Sequence, residues 1–293
     1  MENDSRILTK QQIEKYCVFL QQEEKSRVTI EKYRRDLLTF ERYAGGRPVS
    51  KELTMAYKKL LCQNYRISSA NSMLAAVNGF LNYQGWAECR VRQFKVQRQI
   101  YGQEDRELTK SEYFRLTEEA RKQNKNRLNV ILQTICSTGI RVSELRFFTV
   151  ETVKKGKVTV SCKNKVRIVL IPKQLRTLLL RYAKNAGIPG GKIFVTKNGK
   201  EINRSNLWAE MKKLCKGAGV LPEKVFPHNL RKLFARIFYS MEKDIAKLAD
   251  LLGHSSVNTT RIYIVSTGTE HRELMERLGL IDEKSNMPLL AAE

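Results

Sequence analysis

The sequence predicts a mainly α-helical protein of two domains, the second carrying one small antiparallel β-sheet. Three observations predict it. The chain's 293 residues exceed what one hydrophobic core usually organises. Apolar residues recur at three- and four-residue intervals along most of its length. One stretch near the middle, 157–172, instead alternates or runs apolar with β-branched residues.

The first hundred residues read as four helices, over 11–25, 29–44, 51–63 and 69–83. Thr29 and Ser50 stand where N-terminal caps are wanted. Gly45-Gly46 with Pro48 ends the second helix, and Gly85 ends the fourth. From about 86 to 106 the periodicity fails in the basic, polar run CRVRQFKVQRQIYGQEDRE, an extended linker. Beyond it, 109–123, 126–138, 143–147, 173–187, 203–217, 228–241, 244–252, 256–265 and 269–279 read as helices. KVTVSC (157–162) and VRIVLIP (166–172) form a tight hairpin around Lys163-Asn164-Lys165, and 193–195 reads as a third, short strand. The expected domains are therefore a helical unit (1–95), a linker (96–106), a mixed domain of helices with the hairpin (107–282) and a tail (283–293) whose apolar patch is suited to a neighbouring subunit.

Charge points to the partner. Lys and Arg number 54 against 30 Asp and Glu, a net +24. The excess is spread out: residues 1–100 carry 18 basic and 10 acidic side chains. Self-repulsion of that size is relieved by a polyanion touching both halves, because each neutralised phosphate releases a counterion. A merely soluble basic protein is the plainer reading, weighed at about one in five. With 29% charged residues, a mean hydropathy of -0.44, no 18-residue apolar run and no apolar N-terminal segment, the expectation is a cytoplasmic, nucleoid-associated protein without membrane contact. The six cysteines stand at least 26 residues apart, without a C-x-x-C pair, as reduced structural thiols do. Three histidines with no Cys/His cluster make a metal site improbable.

Three segments carry the chemistry. STGIRVSELRFF (137–148) sets Arg141 between a glycine turn and a helix opened by Ser143, with Glu144 close behind. FPHNLRKLFAR (226–236) places His228 and Arg231 three apart at a helix start, on one face. LLGHSSVNTTRIYI (251–264) sets His254 after a glycine and Tyr263 nine residues later. Each alone has a structural reading: Arg141 as a helix cap or partner of Glu144, the histidines as loop or cap neighbours, Tyr263 as a core residue. Two guanidiniums can clamp the non-bridging oxygens of a phosphodiester under attack, and a histidine can take a phenol's proton.

In order, spacing and flanking sequence these segments resemble the tyrosine recombinase, or phage integrase, family: arginine, hairpin lysine, H-x-x-R, a histidine in L-G-H, then tyrosine. The resemblance implies a SAM-like core-binding domain of four helices ahead of a mixed α catalytic domain, and a compact enzyme without an additional arm-binding domain. It implies Tyr263 as the nucleophile forming a 3′-phosphotyrosine, Arg141 and Arg231 as the clamp, and His228 and His254 as base and phosphate ligand, His228 being favoured as base. A hairpin lysine protonates the leaving 5′ oxygen, and no cofactor or metal is needed. The hairpin departs from the family's G-K-G-x-K-x-R turn, reading S-C-K-N-K-V-R, so Lys163 is chosen as the acid and Lys165 held in reserve. Lys232 follows Arg231 where many relatives carry histidine.

The implied partners are duplex DNA, gripped with one domain on each face, a homotetramer on paired sites that is a monomer or dimer when free, and an accessory DNA-bending protein. Two other functions fit parts of the pattern: a type IB topoisomerase, disfavoured by the four-helix unit and apolar tail, and a catalytically silent DNA-binding accessory factor, disfavoured by the intact set of residues. Within recombination, the hairpin looks more like that of mobile-element integrases of low-GC Gram-positive bacteria than of enzymes that resolve chromosome dimers.

Overall fold

A computed structural model of the chain describes residues 6–95, 106–162, 165–196, 198–263 and 275–278, the side chains of Cys162 and Lys165 excepted. Residues 96–105 of the expected linker 96–106, the hairpin tip Lys163-Asn164, most of the expected helix 269–279 and the tail lie outside those residues. The chain divides into two compact units, 1–98 and 99–293.

The first unit holds α1 (Lys10–Gln22), α2 (Arg27–Ala44), α3 (Lys51–Asn64) and α4 (Ile67–Tyr83), followed by a 3-10 turn, Ala87–Cys89. Its apolar stripes meet in one core around Ile13, Leu37, Phe40, Tyr57, Leu61, Leu74 and Phe80. Burying such side chains is worth about 1.5–3 kcal/mol each, which is what makes short helices persist. Ser50 caps α3 as expected, accepting from the Leu53 N–H, and Gly45 closes α2 at φ 57°. The cap of α2 is Ser26 rather than Thr29: its hydroxyl accepts from the Thr29 N–H, and the first turn is reinforced by an Arg27–Glu31 ion pair at 2.8 Å.

The second unit contains α5 (Lys110–Lys122), α6 (Asn126–Thr138), a 3-10 helix (Val142–Phe147), α7 (Val150–Lys154), strands β1 (Lys157–Cys162) and β2 (Lys165–Leu170), α8 (Lys173–Asn185), α9 (Arg204–Lys212), α10 (Cys215–Ala218), α11 (Pro227–Glu242), α12 (Ile245–Leu252) and α13 (Val257–Arg261). Helix α6 is central, packing on α5, α8 and α11, with Leu128, Ile131, Leu132 and Ile135 buried. The strands pair antiparallel, Val160 opposite Arg167. Val158, Val160 and Val169 face the core, while Val166, Ile168 and Leu170 face outward.

Three expectations change. Residues 193–195 form no strand; Ile193 and Phe194 are buried, and the segment makes only single bridges, Thr149 to Lys192 and Val195 to Glu201. An apolar run of three is set by burial alone, which periodicity cannot distinguish from a strand. The expected helix 203–217 is two, α9 and α10. Helix α7, five residues capped by Thr149, was not foreseen; it is too short to show a period.

Candidate active site

The three motif segments converge at the end of α6. That helix stops at Gly139, whose φ of 63° an L side chain rarely adopts. The turn delivers Arg141 to the N-cap of the 3-10 helix, which opens at Val142, one residue before the expected opening at Ser143. Glu144 closes this start by accepting the Arg141 N–H at 2.8 Å, and accepts the Arg141 guanidinium at 3.2 Å. Its carboxylate is 1% exposed and also accepts from Arg167 Nη2 at 2.7 Å.

Pro227 opens α11, where its missing N–H costs nothing, and the first turn presents His228 and Arg231. Arg231 is 2% exposed. Its Nη1 donates to the Gly139 carbonyl, its Nη2 to the Leu252 carbonyl at 2.7 Å and to His254 Nε2 at 3.0 Å. Its Nε is buried without a partner among the described residues. Burial, then Arg141, pushes the Arg231 pKa down to about 10, so it is charged at neutral pH.

Helix α12 ends at Gly253, φ 65°, which turns the chain so that His254 follows directly. Because Arg231 donates to His254 Nε2, the Nδ1 carries the proton and donates to Thr260 Oγ1 at 2.9 Å. Helix α13 then brings round Tyr263, 5% exposed. Its ring lies between two imidazoles, 5.2 Å from His228 and 5.4 Å from His254, nearly parallel to the latter at 14°.

Both histidines are held neutral. Burial first, then the charges of Lys232, Arg231, Arg204 and Arg141, takes His228 from 6.5 to about 4. Burial, then Arg231, Arg141 and Arg167, takes His254 to about 4 as well. The ring nitrogens of His228 make no hydrogen bond among the described residues, whereas both of His254 are engaged. His228 is thus the imidazole free to accept a proton, and His254 buttresses Arg231.

Arg141, His228, Arg231 and Tyr263 line one cleft of about 580 Å³, with His254 behind Tyr263 and Arg231. Lys163 lies outside the described residues, and Lys165 is placed by its backbone only, at the start of β2. The structure adds Arg146 and Arg204 to the cleft walls and Arg167 to its support. Among 54 basic residues Arg146 and Arg204 had no distinguishing sequence signal, whereas Arg167 stands at the arginine of the family's G-K-G-x-K-x-R turn, and strand alternation turns it inward between exposed Val166 and Ile168. Among the described residues no His, Cys, Asp and Glu cluster has the arrangement of a metal site. Converging guanidiniums, a neutral imidazole and a phenol suit nucleophilic attack on a phosphodiester.

The chain is similar to known proteins. The profile of the Phage integrase family matches residues 106–270, and that of the Phage integrase N-terminal SAM-like domain matches 13–88. The tyrosine recombinase XerA of Pyrococcus furiosus is 30% identical over 286 residues, 94% of this chain and 97% of that one. The XerA of Pyrococcus horikoshii is 28% identical, over 96% and 98%. Among solved structures, a lambda integrase dimer bound to a COC′ core site aligns at TM-score 0.70 and 16% identity, over 89% of this chain and 78% of that one. The XerH recombinase in a post-cleavage complex with palindromic difH aligns at 0.67 and 20%, over 93% and 84%. At such identities the structural likeness speaks for the fold.

Proposed function

The chain belongs to the phage integrase family of tyrosine-type site-specific DNA recombinases, and from that premise we propose that Tyr263 is its nucleophile. The observation that carries this reading is the placement of the Tyr263 ring 5.2 Å from His228 and 5.4 Å from His254, in the cleft that Arg141 and Arg231 also line. The phenol oxygen attacks the scissile phosphorus as His228 takes its proton. The bond from phosphorus to the 5′ oxygen breaks, that oxygen leaves with a proton from Lys163 or, failing it, Lys165, and the 3′ phosphate remains esterified to Tyr263. Arg141 and Arg231 hold the non-bridging oxygens. A 5′ hydroxyl from the partner duplex then reverses the step, conserving the bond energy without a nucleotide cofactor.

The division of labour follows from the same reading. Residues 1–95 bind duplex DNA, 107–282 perform the chemistry, and 283–293 contact a neighbour in a tetramer assembled on paired sites in the cytoplasm. Integration and excision of a mobile element is the proposed role. Its support is the likeness of the segment around the hairpin, S-C-K-N-K-V-R, to that of mobile-element integrases. An accessory DNA-bending protein would assist assembly.

The test uses nicked suicide substrates built from the sequences flanking the gene, without metal or ATP. Wild-type protein should form a denaturation-resistant adduct that maps to Tyr263 and disappears in Tyr263→Phe. An adduct that survives in Tyr263→Phe would refute the assignment.

A further inference from the structure

Glu144 presents an electrostatic problem inside the cleft's wall. A carboxylate 1% exposed must be compensated, since an unpaired buried charge costs several kcal/mol. Two guanidiniums face it. Arg167 is the deeper, 14% exposed on its side chain, donating to Glu144 Oε2 at 2.7 Å and to the Leu251 carbonyl at 2.6 Å. Arg141 makes the longer side-chain contact, 3.2 Å through Nη1 alone, and keeps 43% exposure towards the cleft. The carboxylate is thus compensated chiefly from β2, leaving the Arg141 guanidinium largely unspent.

We infer that Arg167 is a positioning residue: it neutralises Glu144 so that Arg141 is left for the DNA phosphate. This rests on Arg141 being a phosphate ligand. Without Arg167, Arg141 is the one guanidinium among the described residues still hydrogen-bonded to Glu144; it would close onto the carboxylate as a fork, and the net charge of the group would fall from +1 to zero. Two contacts hold Arg167 in this place. Strand alternation turns it inward opposite Val160, and its stem runs under Gly253, where a Cβ would strike Arg167 Cδ and Nε. Arg167 and Arg231 also grip adjacent carbonyls, Leu251 and Leu252, so the end of α12 that carries His254 is fixed by both.

The experiment is single-turnover cleavage by the full chain of a suicide substrate bearing either a phosphodiester or a methylphosphonate at the scissile position. Arg167→Gln should cleave the phosphodiester about 10- to 100-fold more slowly than wild type, the scale of losing one transition-state donor. On the neutral methylphosphonate, which needs no charge from Arg141, the deficit should shrink to about 3-fold or less. Removing the carboxylate as well, in Glu144→Gln/Arg167→Gln, should recover about 5-fold or more over the single variant, since nothing is left to capture Arg141. A deficit equal on both substrates, a double variant as slow as Arg167→Gln, or Arg167→Gln cleaving at the wild-type rate would each overturn the inference. Should Arg167→Gln alone not fold, Glu144→Gln is compared with the double variant. They should cleave alike, and a further loss of about 10-fold in the double variant would overturn it. Wild-type protein that forms no adduct on any substrate would instead overturn the site assignment, and the inference with it.

Discussion

Replacing Arg231 by lysine separates the two tasks the structure gives this side chain. The guanidinium spans the ends of two helices, joining the Gly139 carbonyl after α6 to the Leu252 carbonyl of α12 and supporting His254 Nε2 at 3.0 Å. A lysine ammonium is compact and keeps the charge, with its desolvation cost, but reaches only one of those groups. The carbonyl left behind loses a hydrogen bond to a charged group, worth about 1.5–3 kcal/mol, and stays buried. Arg231→Lys should therefore destabilise the second unit by about 2–4 kcal/mol, and slow cleavage by about 100-fold or more through loss of guanidinium donors at the phosphate. The chain has two tryptophans, Trp86 and Trp208, so a Trp86→Phe background leaves Trp208 to report on the second unit by fluorescence. The urea midpoint should fall by about 1–2 M, taking the usual denaturant dependence of a domain this size. A variant that loses cleavage with an unchanged midpoint would show that the carbonyl bonds carry no folding energy. One that is destabilised yet cleaves at the wild-type rate would remove Arg231 from the phosphate.

Gly139→Ala should cost about 2–5 kcal/mol by the same melt, from a non-glycine residue at φ 63° and a Cβ that runs into the Phe234 ring and Leu252; a loss below about 0.5 kcal/mol would contradict that packing. Stability should also fall on acidification. The folded pKa values of His228 and His254, about 4, lie below the ordinary 6.5, so the unfolded chain takes up protons first as pH drops below 6.5 and the loss is complete near 4. Urea midpoints at pH 7.5 and 5 should differ in the wild type by more than in a His228→Gln/His254→Gln variant, and equal differences would refute the link.

The helices of the first unit were legible because each buries one stripe, and the three- and four-residue spacing of Ile13, Tyr16, Cys17 and Leu20 is that stripe written out. Where the chain is buried on more than one side the period fades, as at Ile193 and Phe194, and the sequence shows only that the residues are inside. Arg141, His228, Arg231, His254 and Tyr263 were legible by order and flanking glycines, and the structure brings them together. His228 was favoured as the base through the resemblance alone; the physical reason, Arg231 and Thr260 engaging both nitrogens of His254, was not legible. Nor was the partnership of Glu144 with Arg167, 23 residues apart, which only the hairpin's register creates.

The cleft combines two ways of holding a positive charge, and the combination bears on when His228 becomes a base. Arg231 is held by neutral carbonyls and an imidazole, so its full charge remains; Arg141, Glu144 and Arg167 together keep one more. About two positive charges therefore meet an entering phosphodiester of charge −1, whose five-coordinate transition state is more negative still. Those same charges, after burial, depress His228, leaving a neutral but weakly basic imidazole in the free protein. An entering phosphate offsets them, so the affinity of His228 for a proton should rise when DNA fills the cleft, coupling deprotonation of Tyr263 to occupancy by substrate. Titrating the His228 ring by NMR in Tyr263→Phe protein, free and bound to uncleaved site DNA, measures this directly. The bound protein should titrate at higher pH than the free protein's value near 4. An unchanged or lower value would mean that DNA brings no compensating charge to His228, and the phosphate would then have to sit on the far side of the arginine pair from that ring.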